Sequence, residues 1–412
     1  MINKIHIQDI RNYLFLALGF SIPISTALIS ITFVLLVFLW FFDNNLNERI
    51  KEIRCNKFFT IILGYLAIHF VGFLWLQVEP VNAMKSWMIF AIPLLSTGVD
   101  SNYYLKGLKA FVLGMFVYVL LFDINIILDP SYFFEAYIEF TSVYMFSNSH
   151  VSYSPLVALT FAILLPAFLV SKEIDFKYLF LLLFFALNEF LVAGRTGYIV
   201  FIFASFFVIS YYHKENIMRL IIAIFSIIGI IGLTLNLNPI FENRINQTNI
   251  TPSSLSDKDI SSTSSSKFEN ADVSIDRRYH WANETIKLIK DKPFFGYGTG
   301  SFENEFKNYS DRNTQVLYTY DPHNHHLLVL FQFGLFGFTA YILIYLIQIR
   351  TALSYRKDNI LRSFAILLPL VYLLMNFSAT YFWEHHLQAF FAFTSAILYN
   401  TNMRDRQYEK IL

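Results

Sequence analysis

Residues 58–76 read FFTIILGYLAIHFVGFLWL, an apolar run without a single Asp, Glu, Lys or Arg. A hydrocarbon core about 30 Å thick selects runs of this length. Inside lipid every backbone N–H and C=O needs a partner within the chain, so such a run is expected to be a helix. It lacks the period-2 alternation of a transmembrane barrel strand. Similar runs occupy residues 156–170, 198–210 and 220–235. Of the 412 residues, 56% are hydrophobic and only 15% charged, against about a quarter charged in a soluble domain. The class that follows is an all-α polytopic membrane protein. A formal net charge of +1 offers nucleic acid nothing to bind. Cys55 is the only cysteine, which excludes a disulfide framework or a cysteine-based metal site. No cleavable signal pattern follows the first apolar run, so the first helix is expected to serve as the targeting signal.

About twelve transmembrane helices are expected, at residues 12–25, 27–42, 58–77, 84–99, 105–122, 150–170, 177–193, 196–212, 217–237, 325–348, 361–381 and 386–400. Residues 12–42 would be an over-long helix, but Ser21, Ile22, Pro23, Ile24 and Ser25 interrupt them, and proline ends or kinks a helix. Charge supports two short spans here. Lys4 and Arg11 precede them and Arg49, Lys51, Arg54 and Lys57 follow, which puts both basic clusters on the cytoplasmic side. The alternation continues through Lys106 and Lys109, Lys172 and Lys177, Lys214 and Arg219, Arg350 and Arg362, and Arg404 and Lys410. The opposing loop 123–149 holds Asp123, Asp129, Glu135 and Glu139 and no Lys or Arg. Both termini are therefore expected in the cytoplasm.

Three regions result: helices one to nine over 1–237, one large outer loop over 238–324, and helices ten to twelve with a cytoplasmic tail over 325–412. The loop opens with TPSSLSDKDISSTSSSK at 251–267, which reads as disordered. From there IDRRYHWANETIKLIKDKP, 275–293, has helical periodicity with Trp281, Ile286, Leu288 and Ile289 on an apolar face. Pro293 ends it, a glycine run from Gly296 to Gly300 follows, and a second short helix is expected from Phe302. No internal repeat is visible, which leaves an inverted-repeat transporter without support.

Arg195 lies in the hinge between spans seven and eight, at the outer face, against the positive-inside trend. It reads either as an interface anchor whose guanidinium snorkels to the headgroups or as a fixed cation for a phosphate-bearing lipid. Glu189, six residues earlier in an apolar span, should face the bundle interior, where it either orients an arginine or makes a structural hydrogen bond. Arg277 and Trp281 share one face of the loop helix at i and i+4, with Arg278 beside them; solvation is the plain alternative for both arginines. The glycines could bring backbone close to phosphate or simply make a turn. His323, Asn324, His325 and His326 form a cluster with no acidic or cysteine partner nearby except Asp321, short of the three or four ligands and second shell of a metal site. A single histidine acting as general base at the membrane surface is the stronger alternative.

Three separated motifs resemble the bacterial O-antigen ligase family, whose domain is shared with O-antigen polymerases. His323-Asn324, nine residues, Gly334, two residues and Gly337 is similar to the ligase pattern of His-[Asn/Ser/Gln], a nine-residue gap, Gly, two residues and a small residue. Gly194-Arg195-Thr196 is similar to the family's arginine at the outer end of a mid-chain helix. Arg277-x-x-x-Trp281 followed by Lys292-Pro293-Phe294-Phe295-Gly296-Tyr297-Gly298 resembles its Arg-x-x-x-Trp helix and Pro-x-x-Gly-x-Gly turn. Arg278 duplicates the arginine, and His325-His326 departs from the polar-aromatic pair common in the family.

The resemblance implies a glycosyltransferase of the bacterial inner membrane with its site on the periplasmic face. A glycan would pass from undecaprenyl diphosphate to the lipid A–core oligosaccharide. His323, Arg195 and Arg277 are the implied catalytic residues: the arginines hold the diphosphate and the histidine takes the acceptor's proton. Arg278, Asn324, Trp281 and Gly298 are the implied substrate contacts. Gly334 and Gly337 would let span ten pack closely. No metal or other cofactor is implied. The nearest alternative is the polymerase on the same fold. A lipid-linked glycan transporter would need charges through the midplane of many helices, and Glu189, His69 and Lys85 are too few for such a track.

Overall fold

Pro23 sets the first feature of the architecture. The computed structural model describes residues 7–75, 85–128, 150–171, 175–191, 194–213, 271–313, 316–356 and 360–400. In it, α1 (Ile7–Ser21) and α2 (Thr26–Trp40) are separate helices with a turn between them. Ser25 caps α2 by accepting from the Leu28 N–H. The chain folds back so that Arg11 meets Asp43 at 2.7 Å, and Arg49 meets the same carboxylate at 3.2 Å. Arg11 in α1 and Arg49 beyond α2 thus meet at one end of the bundle.

An amphipathic helix, α3 (Leu46–Cys55), precedes α4 (Lys57–Gly72) and meets it at 92°. The expected continuous span over 84–99 is not formed. Two short helices, α5 (Trp87–Phe90) and α6 (Ile92–Gly98), replace it, with Pro93 in the first turn of the second. Proline is tolerated there because its missing N–H would have had no helical partner. Next come α7 (Tyr104–Leu128), α8 (His150–Val170), α9 (Phe176–Leu191) and α10 (Arg195–His213). The polar region contributes α11 (Ala271–Asp291) and α12 (Phe302–Arg312). The chain then continues as α13 (His325–Leu353), α14 (Leu361–Met375) and α15 (His385–Leu398). The expected span at 217–237 and the serine-rich stretch at 251–267 lie outside the described residues.

Among the described residues there is no strand. Four helical stretches have the length and apolarity to cross a bilayer: Ser101–Leu128, Val151–Val170, Arg195–Tyr212 and His325–Leu353. The bent pair α3–α4 makes up to five, and α2 and α14 are shorter apolar helices.

The element that positions everything else is α13, which is not a straight span. At Gly334 the backbone turns to φ 58° and ψ −161°. A straight helix would separate residues 325 and 341 by about 24 Å along its axis. Instead the rings of His325 and Tyr341 are 5.6 Å apart, and those of His326 and Tyr341 5.7 Å. The nine residues before Gly334 are therefore an arm that folds back on the helix that follows. Residues 335–353 alone cover about 28 Å, enough for one crossing. Gly337 admits this reversal, since a Cβ there would lie 2.1 Å from the Phe333 Cβ.

Breaking a helix frees backbone groups, and a clasp takes them up. Leu335 and Phe336 donate to the carbonyls of Pro293 and Phe294 at 2.8 and 3.1 Å. Tyr297 and Gly298 donate to Phe331 and Gln332 at 2.9 and 2.8 Å. Thr299 fastens the far side, its Oγ1 donating to the His69 carbonyl of α4 at 2.6 Å. The arm is also a shared wall. Val329 and Phe333 belong to the large bundle core, while Leu328 and Phe331 join Leu288, Phe302 and Phe306 in a second small core under α11 and α12.

Candidate functional site

His323 stands just before the arm, in a backbone conformation that costs energy. Its φ is 48°, among the described residues the sole positive value outside glycine. Holding a residue there costs on the order of 1–3 kcal/mol and needs surrounding structure to enforce it. Asp321 supplies part of that enforcement. Its buried carboxylate accepts the His323 N–H at 2.5 Å and lies 3.5 Å from the ring Nδ1. Trp281 supplies more: its indole stacks on the imidazole at 5.1 Å, with an interplanar angle of 29°. The indole is itself fixed by donating to the Leu317 carbonyl at 3.0 Å. Tyr320 approaches the imidazole edge-on at 6.0 Å. The result is a half-buried histidine with one nitrogen facing a carboxylate and its ring pinned by aromatics.

The charge around this ring is mixed. Burial pushes the His323 pKa below its ordinary value; the Asp321 carboxylate pulls upward and the Arg278 guanidinium pushes down again. At neutral pH the imidazole is thus uncharged and able to accept a proton. Arg278 extends from α11 and donates to the Ser378 carbonyl at 3.1 Å. The Ser378 hydroxyl lies 3.0 Å from that of Thr196, the residue after Arg195 at the start of α10. Segments near residues 195, 278 and 323 therefore converge, although nothing in their local sequence joins them.

The remaining expected site residues fall as follows. Arg195 opens α10 and is half-buried; Arg277 is half-buried on α11. Arg278, which the sequence gives as a duplicate of Arg277 and an implied substrate contact, carries a charge that reaches His323. Asn324 is the N-cap of α13, its Oδ1 accepting the Leu327 N–H at 3.1 Å. Gly298 has φ 98°, and its N–H is engaged by Gln332. The amides of Gly296, Tyr297 and Thr299 are likewise engaged by Lys292, Phe331 and Gly72. These N–H groups hold the clasp together and are not presented to an anion.

His325 and His326 are buried. The His325 N–H donates to the Asn376 carbonyl at 2.8 Å, and the His326 Nε2 lies 2.9 Å from the Leu373 carbonyl. Among the described residues no group of three or more His, Cys, Asp or Glu is placed to hold a metal ion. Glu189 is buried and accepts from Ser154 at 2.6 Å. Asp321 was visible in the sequence as the one acidic neighbour of the histidines, though not as a partner of His323 alone, whereas the turn at 376–381 carries no signal short of a contact.

Long apolar helices, with a pinned histidine and a guanidinium gathered beyond their ends, define an integral membrane protein whose polar site suits proton transfer next to an anion. Residues 178–342 match the family model described as O-Antigen ligase. The matched segment takes in Arg195, Arg277, Arg278, Trp281, His323, Asn324, Gly334 and Gly337. No curated protein matches the chain.

Proposed function

We propose that this protein is an O-antigen ligase, transferring a glycan from undecaprenyl diphosphate to the lipid A–core oligosaccharide at the periplasmic face of the bacterial inner membrane. The observation that carries the reading is His323, kept uncharged, backed by Asp321 at Nδ1 and within electrostatic reach of Arg278. The acceptor hydroxyl oxygen attacks the anomeric carbon, and the bond from that carbon to the diphosphate oxygen breaks. The hydroxyl proton passes to Nε2 of His323, and undecaprenyl diphosphate leaves with the bonding electron pair. Attack from the face opposite the leaving group inverts the anomeric configuration. Arg195, Arg277 and Arg278 hold the diphosphate and stabilise the charge that grows on it. Trp281 and Asp321 keep the imidazole in its working orientation. The guanidiniums provide the positive charge for departure of the leaving group, so the reading requires no cofactor.

The proposed topology has twelve crossings, with the broken pair α5–α6 taken as the one at 84–99, both termini in the cytoplasm and residues 238–324 in the periplasm. The alternation of basic residues supports it, as does the meeting of Arg11 and Arg49 on Asp43. Deleting the gene separates this reading from the polymerase. Loss of a ligase leaves bare core in lipopolysaccharide gels, with long glycan still on undecaprenyl diphosphate. Core bearing one repeat unit would instead make the protein a polymerase.

The electrostatics yield a pH prediction. Transfer needs neutral His323, so its rate falls as pH drops through the folded-state pKa, which lies below the ordinary value of about 6.5. Arg278→Gln removes a charge that lowers this pKa, so the acid limb of the residual activity should move to higher pH. Asp321→Asn removes the charge that raises it and should move the limb lower. Rate–pH profiles in proteoliposomes check both, and limbs that stay in place would contradict the assignment of His323 as base.

A further inference from the structure

The turn at 376–381, between α14 and α15, lies outside the segment matched to the family, yet it touches each part of the candidate site. Its Asn376 carbonyl accepts the His325 N–H at 2.8 Å, which ties the start of the arm two residues after His323. The Asn376 amide donates to the hydroxyls of Tyr341 and Tyr345, both at 3.1 Å, so the same residue grips the helix beyond the reversal. Ser378 offers its carbonyl to Arg278 and its hydroxyl to Thr196, while that hydroxyl donates to the Met375 carbonyl at 2.9 Å. Tyr381 is buried beside the side chains of Thr196 and Ser378. The elements carrying Arg195, Arg278 and His323 thus share one turn.

The physical consequence is a fixed spacing. An arginine on a long flexible stem clamps an anion well only when something else limits its freedom, and small displacements of a reacting group are costly in rate. We propose that the turn 376–381, through Ser378 and Tyr381, is a positioning element that sets the separation of α11 from the start of α10 and keeps Arg278 beside His323. The residues touch no reacting atom in this account; they act through Arg278 and α10. The part concerning catalysis rests on the ligase reading above, whereas the spacing itself does not.

The test uses the full chain with Cys55→Ser, reconstituted in lipid, and two readouts. Spin labels at Tyr279→Cys on α11 and Ile199→Cys on α10, both exposed positions, report the distance between the two helices. A narrow distribution is expected in the parent and a broadened one in the Ser378→Ala/Tyr381→Phe double variant, with Ser378→Thr, which keeps the hydroxyl, remaining narrow. In transfer assays Ser378→Ala should lower kcat/KM by about tenfold to a hundredfold. Its acid limb should move upward, as with Arg278→Gln, because the turn that carries the carbonyl accepting from Arg278 is no longer fastened to α10 by the Ser378 hydroxyl. Thr196→Val should have a similar effect, and the pair together should be no worse than either alone, the mark of one shared link. Unchanged distance distributions would overturn the proposal whatever the enzyme does. So would a loss of kcat/KM with an unmoved acid limb, or additive losses in the pair. Absence of transfer in the parent would instead count against the ligase reading and leave the distance result to decide the spacing.

Discussion

Replacing His323 by alanine is expected to lower glycan transfer by about 10²–10⁴-fold, the usual contribution of a positioned general base, while the protein still inserts and accumulates. The expectation of intact folding rests on the site's construction. His323 is half-buried and stands outside both hydrophobic cores, so its removal leaves no large cavity. Alanine also relieves little of the backbone strain, because Asp321 still accepts the N–H of residue 323. Lipopolysaccharide profiles from a host lacking its own ligase, with protein levels measured in the same membranes, give the result. Full-length ladders from the variant would remove His323 from the reaction. Arg195→Ala belongs in the same experiment and is expected to fail equally if the arginine holds the diphosphate; a full ladder would return it to the role of an interface anchor.

Gly334→Ala is expected to be severely destabilising. At φ 58° and ψ −161° the residue occupies a region open essentially to glycine alone. An added Cβ would also lie 2.3 Å from the Phe294 carbonyl carbon and 2.4 Å from its oxygen. These are backbone atoms of the clasp, so no side-chain rotation relieves the clash. Strain and overpacking together amount to about 2–6 kcal/mol, a large part of a typical folding free energy. The variant should show a lowered melting temperature in detergent, reduced accumulation and no detectable transfer. Leu335→Ala, at the exposed neighbouring position, is the control and should stay close to the parent. A stable, active Gly334→Ala protein would mean that the arm does not need the reversal.

This reversal gives the spacing His-Asn-x9-Gly-x2-Gly a physical meaning. Asn324 starts the arm as its cap, nine residues form it, Gly334 turns it and Gly337 leaves room for Phe333 against the returning helix. The expected benefit of the two glycines was close packing of one straight span with its neighbours. They instead let one helix double back, which the hydropathy of 325–348 conceals because both arms are apolar. The glycine run at 296–300 follows the same logic. It can be read from sequence as backbone free to approach a phosphate, yet the N–H groups of Tyr297 and Gly298 are engaged by the Phe331 and Gln332 carbonyls that the reversal exposes.

What the sequence determined by itself is the part governed by local rules. Apolar runs long enough for lipid must be helical, because no water is present to take up backbone groups. Pro23 breaks the first run and Pro293 ends α11 for reasons contained in the proline ring. The identity of His323 as the candidate base was also legible, since its motif lies in one continuous stretch. The tertiary structure decided which groups surround that base. The charge of Arg278 acts on the imidazole, Asp321 grips it, and the turn at 376–381 gathers α10, α11 and the arm. Ser378 and Thr196 are 182 positions apart, and no periodicity or spacing encodes a contact of that range. It arises only when the bundle closes and buried polar groups find partners in one another.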